Sequence, residues 1–213
     1  MKQPDFKICG ITDPKNAQEV LALNPSIIGI IHYPKSPRHV TELEMASLFE
    51  VIPEGQQVAL VTVNETSDTL QHLLTRFPFT HVQLHGDESE DLVHILKGIC
   101  TVIEALPIKD LEDVHTASQY LHADLLLFDT KGPKPGGNGY AFDWSLLVHY
   151  DGPTPFMLSG GINSRLVDEI REFNHKRCVG IDLNSGFETS PGIKNADLIK
   201  DFLNDLSHEL SNS

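Results

Sequence analysis

The sequence predicts an α/β fold, a single-domain (β/α)8 TIM barrel occupying residues 1–213, on three observations. Eight short apolar runs recur at fairly even spacing, at 6–11, 27–32, 58–63, 81–85, 101–106, 125–129, 156–159 and 179–183. Most are continuous rather than alternating, as ALVTV (59–63) and LLLF (125–128) show, which suits parallel strands buried on both faces. Helix-like segments lie between them, and 213 residues over eight such units give roughly 27 per unit, near the lower end of the size range of a closed barrel. An open doubly wound sheet is the rival, but the first run is followed by Cys-Gly-Ile-Thr-Asp-Pro, which lacks its G-x-G-x-x-G fingerprint.

The elements follow in order. Thr12-Asp13-Pro14 starts the first helix, with a side-chain cap and proline in the first turn. Thr41 and Glu44 make a capping-box spacing before Met45, Leu48 and Phe49. Leu70, Leu73, Leu74 and Phe77 recur at helical spacing, as do Leu92, Ile95 and Leu96, and then Leu166, Ile170 and Phe173. A last helix from about Asn195 turns Leu198, Ile199, Phe202, Leu203 and Leu206 inward. About eight helices are expected in all. The Gly/Pro-rich stretch at 131–139 is too short for a tether between domains and reads as an active-site loop.

Composition limits the partners. A net charge of −14 repels nucleic acid and anionic membranes but permits a small anionic substrate held by helix N-termini. The three cysteines lack a disulfide or zinc spacing, which fits a reducing compartment. His81 and His85 would share a metal only on a helix. The first ten residues show no signal-peptide core and no stretch is long enough to span a membrane, so a cytoplasmic enzyme without metal is expected.

In a closed barrel the chemistry sits at the C-terminal ends of the strands. Cys9 stands near the end of the first run, and Lys7, two residues earlier, shares its face. Arg38 follows the second run, Gln83 and His85 end the fourth, and Asp129 ends the sixth. Gly160 and Gly161 follow the seventh; Asp182, Asn184, Ser185 and Gly186 close the eighth. Each has a bland reading as well. A buried cysteine is usually inert packing, a strand-end aspartate is often a cap, and a lone histidine is usually structural. Glycines after strands seven and eight can be mere turns, but they also expose amides where phosphate sites recur in this fold.

Taken together these segments resemble the phosphoribosylanthranilate isomerases of tryptophan biosynthesis. The resemblance is collinear over nearly the whole chain: KICGIT at 7–12, YPKSPR at 33–38, VQLHGDE at 82–88, FDT at 128–130, GGNGYAFDW at 136–144, LSGGIN at 158–163 and GIDLNSGFETSPGIK at 180–194. It implies Cys9 as general base, Asp129 as general acid, and Arg38 as contact to the anthranilate carboxylate. It places phosphate binding on Gly160, Gly161, Asp182, Asn184, Ser185 and Gly186. The implied partner is a small phosphoribosyl substrate, the implied assembly a monomer or homodimer. Asn138 and Asn184 stand where the family usually has Thr and Ser; both keep a hydrogen-bonding side chain. The implied reaction is an Amadori rearrangement with no net redox change and no cofactor. A thiolate base needs help at neutral pH, and Lys7 is the cation expected to supply it. Two rivals remain: a sister barrel that runs the same rearrangement in histidine synthesis with two aspartates, which Cys9 disfavours, and a catalytically silent phosphosugar binder.

Overall fold

In a computed structural model of the chain, which describes residues 5–132 and 141–207, eight parallel strands pair in sequence order and close, β1 against β8, into a barrel. They are β1 (Asp5–Cys9), β2 (Ile27–Ile31), β3 (Gln57–Thr62), β4 (His81–Leu84), β5 (Thr101–Ile108), β6 (Leu125–Thr130), β7 (Phe156–Leu158) and β8 (Cys178–Leu183). All eight apolar runs are strands, with ends shifted by a few residues. The helices are α1 (Pro14–Leu21), α2 (Glu42–Phe49), α3 (Ser67–Arg76), α4 (Glu90–Lys97), α5 (Leu111–Ser118), α6 (Val167–Glu172) and α7 (Ala196–Ser207). Asp13 caps α1 by accepting from the Asn16 amide at 2.7 Å, and the Thr41/Glu44 capping box forms at α2.

Two elements differ from expectation. Between β6 and β7 the described residues hold no α-helix but a 3-10 segment, Trp144–His149. Asp143 caps it through the Ser145 amide, and Tyr150 closes on Leu147. Asp151-Gly152-Pro153 then stops it, because none of the three continues a helix well. Of the 131–139 loop only Lys131 and Gly132 are described; Asn138 lies outside the described residues. After β8 an unforeseen antiparallel hairpin forms from β9 (Glu188–Ser190) and β10 (Ile193–Lys194).

The barrel sorts its side chains by the two-residue period of a strand. Ile28 and Ile30, Val58 and Leu60, Val82 and Leu84, Leu126 and Phe128, and Ile181 and Leu183 face outward into the large core under the helices. The alternate positions face inward, where Ile27, Ala59, Ile103, Ala105 and Leu127 pack a second, smaller core. Lys7, Cys9, Gln83, Asp129 and Asp182 hold those alternate positions too, so the same pleat that builds the outer core aims five polar or reactive groups down the barrel axis.

Candidate active site

At the C-terminal end of the strands lies a cleft of about 540 Å³ lined by ten of the twelve residues singled out from the sequence. These are Cys9, Arg38, Gln83, His85, Asp129, Gly160, Gly161, Asp182, Asn184 and Ser185. Lys7 and Gly186 stand outside the lining. Ile31, Tyr33, Lys35, Val61, Val63 and Ile162 supply further walls. The apolar members suit a flat aromatic group, the polar ones an anion or two.

Asp129 is buried on β6 and doubly held. The Thr130 amide donates to Oδ1 at 2.8 Å, and His85 Nε2 lies 3.2 Å from Oδ2. Gln83 Nε2 in turn lies 3.2 Å from His85 Nδ1. With that amide donating to Nδ1, a neutral ring carries its proton on Nε2 and offers it to Asp129. The three side chains thus form one chain from β4 to β6.

Cys9 is 2 % exposed and lies opposite Gly29 in the β1–β2 register. A Cβ on Gly29 would come within 2.8 Å of Sγ, so glycine there makes room for the thiol. Burial pushes the thiol pKa up, and Lys7 and Lys194 pull it back only in part while Asp182 adds to the rise. Lys7, the cation expected from the sequence, is the foremost of the groups that draw the thiol back down, with Lys194 behind it. Lys7 is fully buried, and its ammonium donates to Asp182 Oδ1 at 2.9 Å while also drawing the thiol down. Burial works to lower Lys7, but Asp182 and Cys9 outweigh it and hold it above its usual value. Asp182, itself pushed up by burial against the pull of Lys7, also accepts from Ser159 Oγ at 3.4 Å. Asp182 lines the cleft, and Lys7 is paired with it from outside the lining. Asp182→Ala would strand the ammonium, and truncating one partner of a buried pair costs about 3–5 kcal/mol. A loss of that size is expected in urea unfolding; a loss under about 1 kcal/mol would show that Lys7 is solvated or discharged.

The loops after β7 and β8 form one wall of the cleft. Gly160 and Gly161 both have positive φ, +79° and +69°. Neither amide has an intramolecular acceptor among the described residues, so both remain available to a ligand. A Cβ on Gly160 would meet the Thr130 amide and hydroxyl at 2.4 Å and Asp129 Oδ1 at 2.7 Å. A Cβ on Gly186 would be tighter still, 2.1 Å from the Ile162 carbonyl oxygen, so glycine there lets the two loops pack closely. Gly160→Ala is expected to push the end of β6 away and to lower kcat/KM on the order of 10²-fold, as a 1 Å misplacement does. Steady-state kinetics beside a melting curve separates this from simple unfolding; unchanged kcat/KM would mean the loop yields without moving Asp129.

Two residues that sequence reasoning did not single out complete the site. Glu188 accepts from Arg38 Nε at 2.8 Å and from its Nη2 at 2.5 Å, a fork-on-fork pair. Lys194 Nζ donates to Glu188 Oε1 at 2.6 Å and to Asn184 Oδ1 at 2.8 Å. The Asn184 that departs from the usual Ser therefore spends its carbonyl oxygen on Lys194. Burial would raise Glu188, but Arg38 and Lys194 hold it below the usual carboxylate range. Both residues sit on a hairpin whose strands are too short to leave a periodic signal; the Pro191-Gly192 turn was the one available cue.

The geometry can be set beside known proteins. A family model described as N-(5'-phosphoribosyl)anthranilate (PRA) isomerase matches residues 6–205. The N-(5'-phosphoribosyl)anthranilate isomerase of Parabacteroides distasonis is 40% identical over 209 residues, which covers 95% of this chain and 93% of that one. That of Rhizobium etli is 36% identical over 207 residues, 94% and 92% of the two chains. Among solved structures, phosphoribosyl anthranilate isomerase from Thermotoga maritima superposes with a TM-score of 0.86 at 30% identity, over 95% of this chain and 98% of that one. A phosphoribosyl anthranilate isomerase in complex with reduced 1-(o-carboxyphenylamino)-1-deoxyribulose 5-phosphate gives 0.83 at 29% identity, over 95% and 98%. The matches run through every strand of the barrel and the loops after β7 and β8, and the chain belongs to the N-(5'-phosphoribosyl)anthranilate isomerase family.

Proposed function

We propose that this cleft rearranges N-(5'-phosphoribosyl)anthranilate with Asp129 as general acid and Cys9 as general base. The chain is an intramolecular aldose–ketose isomerase of tryptophan biosynthesis. One observation supports the assignment of roles above the rest: Cys9 on β1 and Asp129 on β6 line one cleft, with the Gly160–Gly161 and Ser185 loops between them. Strands one and six are three steps apart around the ring, through β8 and β7, so acid and base face different atoms of one ligand.

The phosphate rests on the amides of Gly160, Gly161, Ser185 and Gly186, and the anthranilate carboxylate on the free edge of Arg38. Asp182 and Asn184 shape the floor beneath. Asp129 gives its proton to the ribose ring oxygen as the C1–O bond breaks, and the nitrogen lone pair forms the C1=N bond. His85 and Gln83 fix the orientation of that carboxyl. Cys9, as thiolate, takes the proton from C2, and its electrons pass to C1 and neutralise the iminium nitrogen. The resulting enolamine tautomerises to the ketone, so substrate and product are isomers. The substrate nitrogen is the electron source and sink, and the scheme needs nothing beyond side chains and backbone. Lys7 acts from below through Asp182 rather than by touching the ligand.

Among the described residues no helix is long and apolar enough to cross a membrane. A cytoplasmic location and a monomeric or homodimeric state remain part of the proposal; a relative from Thermotoga maritima is described as dimeric. The purified protein should turn over N-(5'-phosphoribosyl)anthranilate, followed by the change in anthranilate fluorescence. Tight binding of the reduced ribulose phosphate without turnover would replace this reading by that of a silent binder.

A further inference from the structure

Three cations, Lys7, Lys194 and Arg38, and the carboxylate of Asp182 act on Cys9, with Glu188 behind Lys194 and Arg38 and uncharged Gly29 opposite on β2. Lys7 comes from β1, Asp182 from β8, Arg38 from the loop after β2, Glu188 from β9 and Lys194 from β10; Asp129 faces the same cleft from β6. Lys7 is paired with Asp182, and at the thiol its pull outweighs the opposing push of that carboxylate. Glu188 is shared between Arg38 and Lys194, so that group carries one positive charge too many.

Where that surplus sits is set by the hairpin. A Cβ on Gly10, the residue after Cys9, would lie 2.8 Å from Arg38 Cδ, 2.9 Å from Asn184 Oδ1 and 3.4 Å from Lys194 Nζ. The ammonium thus lies directly beside the Cys9–Gly10 backbone. The Lys194 backbone is fixed from both sides by buried Asn16, whose Nδ2 donates to its carbonyl at 2.8 Å and whose Oδ1 accepts from its amide at 2.7 Å. The Gly192 amide donates to Glu188 Oε1 at 3.1 Å, and Thr12 Oγ1 donates to the Gly192 carbonyl at 3.0 Å. The side chains of Lys194 and Glu188 are 0 % and 6 % exposed. So many fixed contacts leave the ammonium little freedom to turn elsewhere.

We propose that Lys194 and Glu188 are positioning residues for the isomerisation: Lys194 compensates the Cys9 thiolate, and Glu188 divides its charge between Lys194 and Arg38 while holding Arg38 edge-on to the cleft. This rests on the reading of Cys9 as base and of Arg38 as the contact to the substrate carboxylate. The directions of ionisation agree with the geometry. Lys194 pulls the Cys9 pKa down against burial; burial lowers Lys194 itself, and Glu188 and Cys9 offset that in part. Arg38 spends Nε and one Nη2 hydrogen on Glu188 and keeps Nη1 for the ligand.

Removing each charge should move the thiol in opposite directions, which a merely structural role would not do. The readout is the pH dependence of Cys9 alkylation by iodoacetamide, followed by the mass of the Cys9 peptide. Cys100 and Cys178, pushed up to about 11 by burial, label separately and serve as internal references. Lys194→Gln is expected to move the Cys9 midpoint up by at least about one pH unit. Glu188→Gln is expected to move it down by about as much, and to raise KM more than it lowers kcat. Lys194→Arg should hold the midpoint near the wild-type position. Midpoints that stay put, or that move the same way in both variants, overturn the proposal. If Lys194→Gln does not fold, the sign of the Glu188→Gln shift decides alone. Alkylation reports the charge on Cys9 whether or not Cys9 is the base. Full turnover by Cys9→Ala would therefore sink the reading of the base and leave this charge assignment standing to be judged separately.

Discussion

Cys9→Ala is expected to lower kcat by at least about 10²–10⁴-fold, the usual contribution of a general base, with little change in ligand binding. The thiol is nearly fully buried at the end of β1, and Gly29 leaves room for its sulfur. Alanine keeps the strand register and deletes only the sulfur, so the fold is expected to survive. Binding of the reduced ribulose phosphate tests that, because the proposed function rests it on Arg38 and the glycine loops rather than on the base. Cys9→Ser should fare little better, since a hydroxyl is far harder to ionise than a thiol. Activity within tenfold of wild type in the alanine variant would remove Cys9 from the mechanism.

The second large effect is expected at Asp129. Asp129→Asn preserves shape and can still accept from the Thr130 amide at Oδ1. It has no proton to give the ring oxygen, and its amide would face the Nε2–H of His85 donor to donor. A fall in kcat of about 10²–10⁴-fold is expected here too. The two variants should differ in which step they slow. With deuterium at C2 of the ribose, Cys9→Ala should express a full isotope effect, because proton removal limits the rate. Asp129→Asn should suppress it, because ring opening does. An isotope effect of the same size in both variants would mean that the two residues do not divide the steps in this way.

The sequence by itself determined the barrel. Eight continuous apolar runs are the mark of strands covered on both sides, and that mark is local, carried by neighbouring residues. It also located Cys9, Asp129, Gly160 and Gly161, because in a closed barrel the end of each strand is the site and the order of residues tells where a strand ends. Even the capping box at Thr41 and Glu44 was legible, since its partners are three residues apart.

What the tertiary structure alone decided is how charges pair across the barrel. Lys7 and Asp182 are 175 residues apart, Arg38 and Glu188 150. No pattern along the chain reveals that Lys7 pairs with Asp182, or that Lys194 and Arg38 share Glu188. The hairpin that carries Glu188 and Lys194 is too short for periodicity and is held by Asn16 and Thr12 from the far end of the sequence. Backbone pattern is written in near neighbours and can be read in order. The field at a buried thiol sums over every charge within reach in space, and only the closed ring brings those charges to one place.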